Sequence, residues 1–396
     1  MSTGTVRKIA WGGLGTLLGL GVAVLVLLTV ARSPAEQQRD PTSTPPALLS
    51  ETDGAIREVA LHYVPKIFGA VRETYTDYLR ALPRDVTLRV VVANDLSTAD
   101  QRRLRGFFDD IDTTLWARTR IVPSPGPITT WSKDRALVTA PSPEGPAWLV
   151  ATAEPDHKWP ERYGDWLTVD ALARTSSKRF ERHVAPFDFD AGDFAVAKGH
   201  IIVDANLILK NQRRGIVDAG ALEHRLEAWF GAPVVVLGTR PGDTPPHHLS
   251  MYMTPLHDDV VLVGDPRRAR DLLGPDFRPG ADSAETGRPL VADFSTATQR
   301  RFDNAAERLA QLGYRVIRIP NVPLEDKTYL TYTNGVYETR DGRHIAYLPT
   351  YGINELDLAA RETYARLGWE VRPIRVRHVY PFHGTIGCLV NVLARG

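Results

Sequence analysis

The feature that most restricts what this 396-residue chain can fold into is a strand–turn–strand pattern that recurs four times. Residues 131–153, WSKDRALVTAPSPEGPAWLVATA, pass from one apolar stretch through a Pro/Gly turn into another. FDFDAGDFAVAKGHIIVDA (187–205) does the same around Lys198-Gly199, HLSMYMTPLHDDVVLVGD (248–265) around Asp258-Asp259, and TYTNGVYETRDGRHIAYLP (331–349) around Asp341-Gly342. An Asp-Gly pair between two strand-like runs is a strong hairpin signal, because both residues tolerate the positive φ that a two-residue turn demands. Each hairpin opens on a polar residue that a plain strand has no use for: Asp134, Asp190, His248 and Asn334. Cys388, the sole cysteine, ends the series. Position 190 follows 134 by 56 residues, 248 follows 190 by 58, 334 follows 248 by 86, and 388 follows 334 by 54.

Helical segments fill the intervals. NELDLAARETYARLG carries Asn354 as an N-cap and a glycine stop, and GDPRRARDLL has proline in its first turn. Recurrence of one motif at near-constant spacing implies repeated supersecondary units, and about five fit between residue 85 and the end. The expected class is α/β, with units of ββαβ type. A ring of such units would deliver every opening residue to one centre, with Thr87–Val92 completing the last unit against the strand that holds Cys388. Ahead of this, Ile56, Val59, Tyr63, Ile67 and Val71 fall at three- and four-residue steps and predict a helix within 55–84 that Pro65 bends. A strand over 87–92 and a helix from 98 with Ser97 as N-cap follow.

The N-terminal region reads differently. Ile9 to Val30 is a run of 22 residues without a charge, long enough to cross a bilayer as a helix. Arg7 and Lys8 before it favour a cytoplasmic N-terminus. Its length favours an uncleaved anchor over a signal peptide. The Pro-, Ser- and Thr-rich segment 32–54 reads as a disordered tether. The expected arrangement is therefore an anchor within 1–31 and a soluble domain over 55–396, on the extracytoplasmic side of the cytoplasmic membrane. Lys and Arg number 48 against 47 Asp and Glu, so the net charge of +1 excludes a nucleic-acid partner recognised through phosphate. His247, His248 and His257 lack the spacing of a zinc site, and no motif calls for a cofactor. The mixed charges of 211–231 read as a solvated helix face.

A thiol near a histidine is the pattern of covalent catalysis, because the thiolate attacks and the imidazole moves protons. Carboxylates in the same cleft suit a planar cation, whose donors form a fork that carboxylates accept. The combination points to attack on a guanidinium carbon, loss of an amine and hydrolysis of a thiouronium. The order of motifs resembles the guanidino-group-modifying enzymes, and within them the agmatine deiminases and bacterial-type peptidylarginine deiminases. The resemblance implies a five-bladed α/β-propeller, the pentein fold. WSKD is similar to that family's W-x-R-D, so the resemblance puts Trp131 and Asp134 on the substrate guanidinium. DFDAGDF is similar to its E-G-G-D, which makes Asp190 the counterpart of a catalytic glutamate and Asp193 a further substrate-side carboxylate. HLSMYMTPL is similar to its H-hydrophobic-D-M, which makes His248 the general acid/base. GTIGCLVN is similar to its G-G-x-x-H-C-x-T, which makes Cys388 the nucleophile. YTNG holds Asn334, which reads equally as turn residue or ligand.

Five departures accompany the resemblance. Ser250 stands at the second guanidinium carboxylate, aspartate replaces glutamate at Asp190, Gly387 precedes the cysteine where histidine is common, Ala191 replaces a glycine, and Lys133 an arginine. Asp193 or His383 would compensate for Ser250 by pointing inward. The expected activity is a deiminase acting on a small or peptidyl guanidino group. A non-catalytic binding module and an amidinotransferase of the same fold stand as alternatives.

Overall fold

The computed structural model describes residues 46–141, 145–257, 259–279 and 289–396. The apolar run Ile9–Val30 lies outside them, and among the described residues no helix is long and apolar enough to cross a membrane. The unit that holds the described residues spans Gln38–Gly396.

The chain begins with β1 (Ile56–Tyr63), β2 (Thr87–Ala93) and β3 (Thr119–Ser124), joined by helices α1 (Phe68–Ala81) and α2 (Thr98–Ile111). Then comes one plan, repeated. β4 (Ala136–Val138) and β5 (Ala147–Ala151) form an antiparallel hairpin, helix α3 (Pro160–Thr175) crosses over, and β6 (Phe180–Val184) returns parallel to β5. β7 (Ala195–Ala197), β8 (His200–Asp204) and β9 (Val234–Leu237) repeat it, as do β10 (Met253–Pro255), β11 (Val260–Asp265) and β12 (Arg315–Pro320). An extra hairpin, β13 (Val322–Leu324) with β14 (Thr328–Leu330), follows before β15 (Val336–Arg340), β16 (Arg343–Thr350) and β17 (Trp369–Arg375) repeat the plan once more. That hairpin helps lengthen the 248-to-334 interval. β18 (Val390–Arg395) completes the first sheet, in the order β18-β1-β2-β3.

Four hairpins are therefore where the sequence puts them, and the start of the domain is not. Ile56–Tyr63 is a strand, and the helix begins only at Phe68. β1 is hydrogen-bonded on one side to antiparallel β18 and on the other to parallel β2. Seven of its eight residues are buried, so it shows no alternation of apolar and polar positions, and the three- and four-residue spacing inside a short apolar run was no guide to helix. For the same reason the strand after Cys388 pairs with β1 rather than with Thr87–Val92. The tether also ends earlier than 54. Leu48 bridges Thr139, the Leu49 N–H donates to Val138, and the Arg395 guanidinium donates to the Gly54 carbonyl. Asn354 is the first helical residue rather than the cap. Asp357 instead accepts from the Tyr351 and Gly352 N–H groups and fixes the entry to that helix. Pro266 and Ser97 behave as expected: Asp265 caps the Pro266–Leu273 helix, and the Ser97 hydroxyl accepts from the Asp100 N–H.

Among the described residues no ladder joins the sheets into one barrel. What joins them is the set of opening segments, which bond to one another in cyclic order. The Ala191 N–H donates to the Asp134 carbonyl at 2.8 Å, the Gly387 N–H to the Asn334 carbonyl at 3.2 Å, and the Lys133 N–H to the Cys388 carbonyl at 3.3 Å. The Thr333 hydroxyl donates to the Ser250 carbonyl at 2.9 Å. Buried Glu338 on β15 ties the last unit to the first, accepting from the Ile56 N–H at 2.9 Å and from the Tyr347 hydroxyl at 2.7 Å. A buried carboxylate with this many donors is satisfied rather than stranded.

Candidate active site

Cys388 sits not on a strand but on a single helical turn, Ile386–Leu389, immediately before β18, and is buried. The turn is pinned from below. The Thr385 hydroxyl donates to the Asn334 carbonyl at 2.6 Å. The Asn334 amide nitrogen lies 3.1 Å from the Cys388 sulfur, 2.8 Å from the Met251 sulfur and 3.3 Å from the Ser250 hydroxyl, so three acceptors share its two protons. A Cβ on Gly387 would fall 2.0 Å from the Asn334 side-chain oxygen, which leaves no room there for histidine. The glycine before the cysteine and the asparagine beneath it are one packing solution.

His248 enters from the third hairpin. Its Nε2 lies 3.3 Å from Asp190 Oδ2. Burial pulls the imidazole pKa down, but the bond with Asp190, the contact with the Cys388 side chain and the Asp193 charge outweigh it and raise it to about 10. The ring rests on Gly192, where a Cβ would come within 2.8 Å of Nδ1. Burial likewise pushes Asp190 up, while Lys210, His248 and Arg135 overcome this and hold it well below the ordinary carboxylate range. Lys210 Nζ is 2.8 Å from Asp190 and 2.5 Å from Asp193, and an Arg135 nitrogen is 3.3 Å from Asp190. Asp193 turns back to accept the Asp190 N–H at 2.9 Å.

Asp134, on the segment before β4, is buried and faces a cavity of about 260 Å³ that Trp131, Arg162, His247, His248, Lys327, Phe382, His383 and Cys388 also line. The backbone is strained around this cavity. Among the described residues, five non-glycine residues have positive φ. Lys198 and Asp341 make hairpin turns, and the other three, His247 (78°), Lys327 (67°) and His383 (73°), line the cavity wall. Such conformations cost roughly 1–3 kcal/mol each and gather at functional sites. His247 stacks on His248 with ring centroids 4.0 Å apart and donates from Nε2 to the His383 carbonyl at 3.0 Å. Burial and the neighbouring His248 charge keep it neutral.

No protein-family model matches the chain, and no curated protein matches it by sequence. Solved structures do. The C. jejuni agmatine deiminase superposes with a TM-score of 0.63 at 14% identity over 89% of this chain and 97% of that one. A C. jejuni agmatine deiminase variant with substrate bound gives 0.63 at 13% over 88% and 96%. The Enterococcus faecalis agmatine deiminase gives 0.61 at 14% over 88% and 96%. This chain has the pentein fold.

On this fold the cavity joins Cys388, His248, Asp134 and Trp131, all singled out by the sequence. Asp190 stands behind His248, and Asn334 and Ser250 lie beneath the sulfur. Asp193 holds Lys210 and the Asp190 backbone instead of lining the cavity. His383 does line it, from a turn after β17, with its Nδ1 2.9 Å from the Thr328 hydroxyl. Among the described residues no group of His, Cys, Asp and Glu is arranged to hold a metal ion. The sequence missed the cations. Arg162, Lys210 and Arg135 each bind a carboxylate expected to meet substrate, and Arg162 Nη1 lies 2.5 Å from Asp134 Oδ2. Arg162 and Lys210 sit in crossover segments far along the chain from the motifs, where nothing in their spacing marks them.

Proposed function

We propose that this protein is a cysteine-dependent hydrolase of the deiminase type, acting on a C–N bond of a guanidino or amidine group. The observation that carries the reading is that His248, bonded to Asp190, lines one cavity with Cys388 and Asp134 on the fold of the agmatine deiminases, with the Asp190 bond raising the imidazole pKa. The Cys388 thiolate attacks the guanidino carbon, and the C–S bond forms. His248, cationic at neutral pH, gives its proton to the departing nitrogen, ammonia leaves, and a thiouronium remains on sulfur. Neutral His248 then takes a proton from water as it adds to the same carbon. The C–S bond breaks, and a ureido product and the thiol are released. Asp190 keeps the imidazole oriented and charged, and the Asn334 amide fixes the position of the sulfur. Asp134 supplies the carboxylate for the substrate cation, next to the Trp131 ring.

Turnover is tested by measuring ureido product from arginine, agmatine and arginine-containing peptides. The expected result is product from at least one of the three, none from Cys388→Ser, and a loss of roughly 10²–10⁴-fold in His248→Asn. Absence of product from all of them supports the second reading, a non-catalytic binding module, which Ser250 at the second carboxylate position favours. An amidinotransferase would use the same first half-reaction with an amine in place of water.

We further propose that the run Ile9–Val30 anchors the enzyme with its catalytic domain outside the cytoplasmic membrane. The support is that run's length and its flanking charges. The domain should remain with the membrane through alkaline carbonate extraction and be digested by protease added to intact spheroplasts; release into the soluble fraction or protection from protease would contradict this.

A further inference from the structure

A carboxylate placed to bind a substrate guanidinium already binds one belonging to the chain. Arg162 Nη1 is 2.5 Å from Asp134 Oδ2, with the aspartate side chain 4% exposed and the arginine side chain 35% exposed. Among the described residues Asp134 is the one carboxylate on the cavity wall, since Asp190 stands behind His248 and Ser250 replaces the second acid. Beside it lie the cations of Arg162, Lys327 and His248, so a visiting cation meets a carboxylate that is already paired. Charge of this kind decides which ligands a buried site admits more than how tightly it can bind.

The position of Arg162 in the fold lets it leave. It lies in the first turn of α3, after a run of exposed residues from Asp156 to Glu161 that includes Trp159 at 61% exposure. The hydrogen bonds that fasten the next turn go to other residues, although the Arg162 charge also acts on Asp165. Asp165 accepts from the Thr129 N–H at 2.9 Å and from its hydroxyl at 2.7 Å, and the Trp166 indole donates to the Thr152 carbonyl at 2.8 Å. Residues 165 and 166 anchor the helix by hydrogen bonds of their own, and the partly exposed side chain at 162 has, among the described residues, its single hydrogen bond to Asp134.

We infer that Arg162 is a built-in competitor for the guanidinium subsite, which a substrate cation must displace from Asp134, and that it thereby sets which ligands the site admits. The inference rests on the proposed deiminase reading. The outcome is selection against weak or small cations and in favour of substrates whose remaining contacts offset the displacement.

The test compares alkylation of Cys388 by 2-chloroacetamidine, a cationic guanidinium mimic, with alkylation by neutral 2-chloroacetamide, on the full chain. The ratio of the two second-order rates isolates the cation subsite from the reactivity of the thiol. Arg162→Gln should raise the ratio on the order of tenfold or more. Arg162→Lys, which keeps charge but loses the fork, should raise it less, and Asp134→Asn should abolish the gain when combined with Arg162→Gln. Melting temperatures identify any variant that fails to fold, and the lysine variant serves if glutamine does. An unchanged or reduced ratio in folded Arg162 variants overturns the inference and shows the pair to be a structural tie of α3. Failure of the underlying reading looks different: the wild-type thiol would react slowly with both reagents and without dependence on His248.

Discussion

At the scale of single residues, the site is governed by what each charged group already touches. Asp190 touches His248, and that contact comes first among the influences that raise the imidazole pKa to about 10 against the cost of burial. Because the folded pKa lies above the ordinary value of 6.5, the pair stabilises the fold fully below pH 6.5 and loses that contribution as pH rises through about 10. The same sign governs activity. A step that needs imidazolium holds up to the folded pKa and falls beyond it. In Asp190→Asn the alkaline limb of the turnover profile should therefore move from near pH 10 towards 6.5, as a pH–rate series would show; a limb that stays in place would mean that another group donates the proton. The meeting of Cys388, His248 and Asp134 at one cavity was legible because each opens or ends a repeated motif. Arg162 was not, because an arginine in the first turn of a crossover helix has no local pattern, and its meaning exists only through contact with a residue 28 positions earlier.

At the scale of elements, legibility followed how strictly local chemistry dictates the backbone. Hairpin turns at Lys198-Gly199 and Asp341-Gly342 require positive φ, the structure has it at all four residues, and the sequence was decisive there. The Ser97 cap was equally readable, because its hydroxyl satisfies a donor that a helix start always leaves open. β1 was not readable. A strand covered on both edges and nearly buried throughout has no polar face to set a period of two, and five apolar positions at three- and four-residue steps imitated a helix. Taken as a helix, 56–63 offers β18 no edge, whereas as a strand it is the antiparallel partner of β18. The turn that carries Cys388 is a further case. Four residues of helix before a strand give no periodic signal, and what fixes them is the Thr385 and Gly387 bonding to Asn334, 54 positions earlier than the cysteine.

At the scale of the whole molecule, the repeat explains why residues spread from 131 to 388 meet. Each of the four repeated units holds its own hairpin, and backbone and side-chain hydrogen bonds link the openings in cyclic order, so these links set the positions of sulfur, imidazole and carboxylates. The central claim is that this assembly makes Cys388 a nucleophile primed for a planar cation. It is tested most directly by the second-order rate at which 2-chloroacetamidine alkylates Cys388 at neutral pH, set against the same reagent with glutathione. The account predicts a rate well above that of the free thiol, modification confined to Cys388, and a fall to the free-thiol value in His248→Asn; a wild-type cysteine that reacts no faster than glutathione would contradict it.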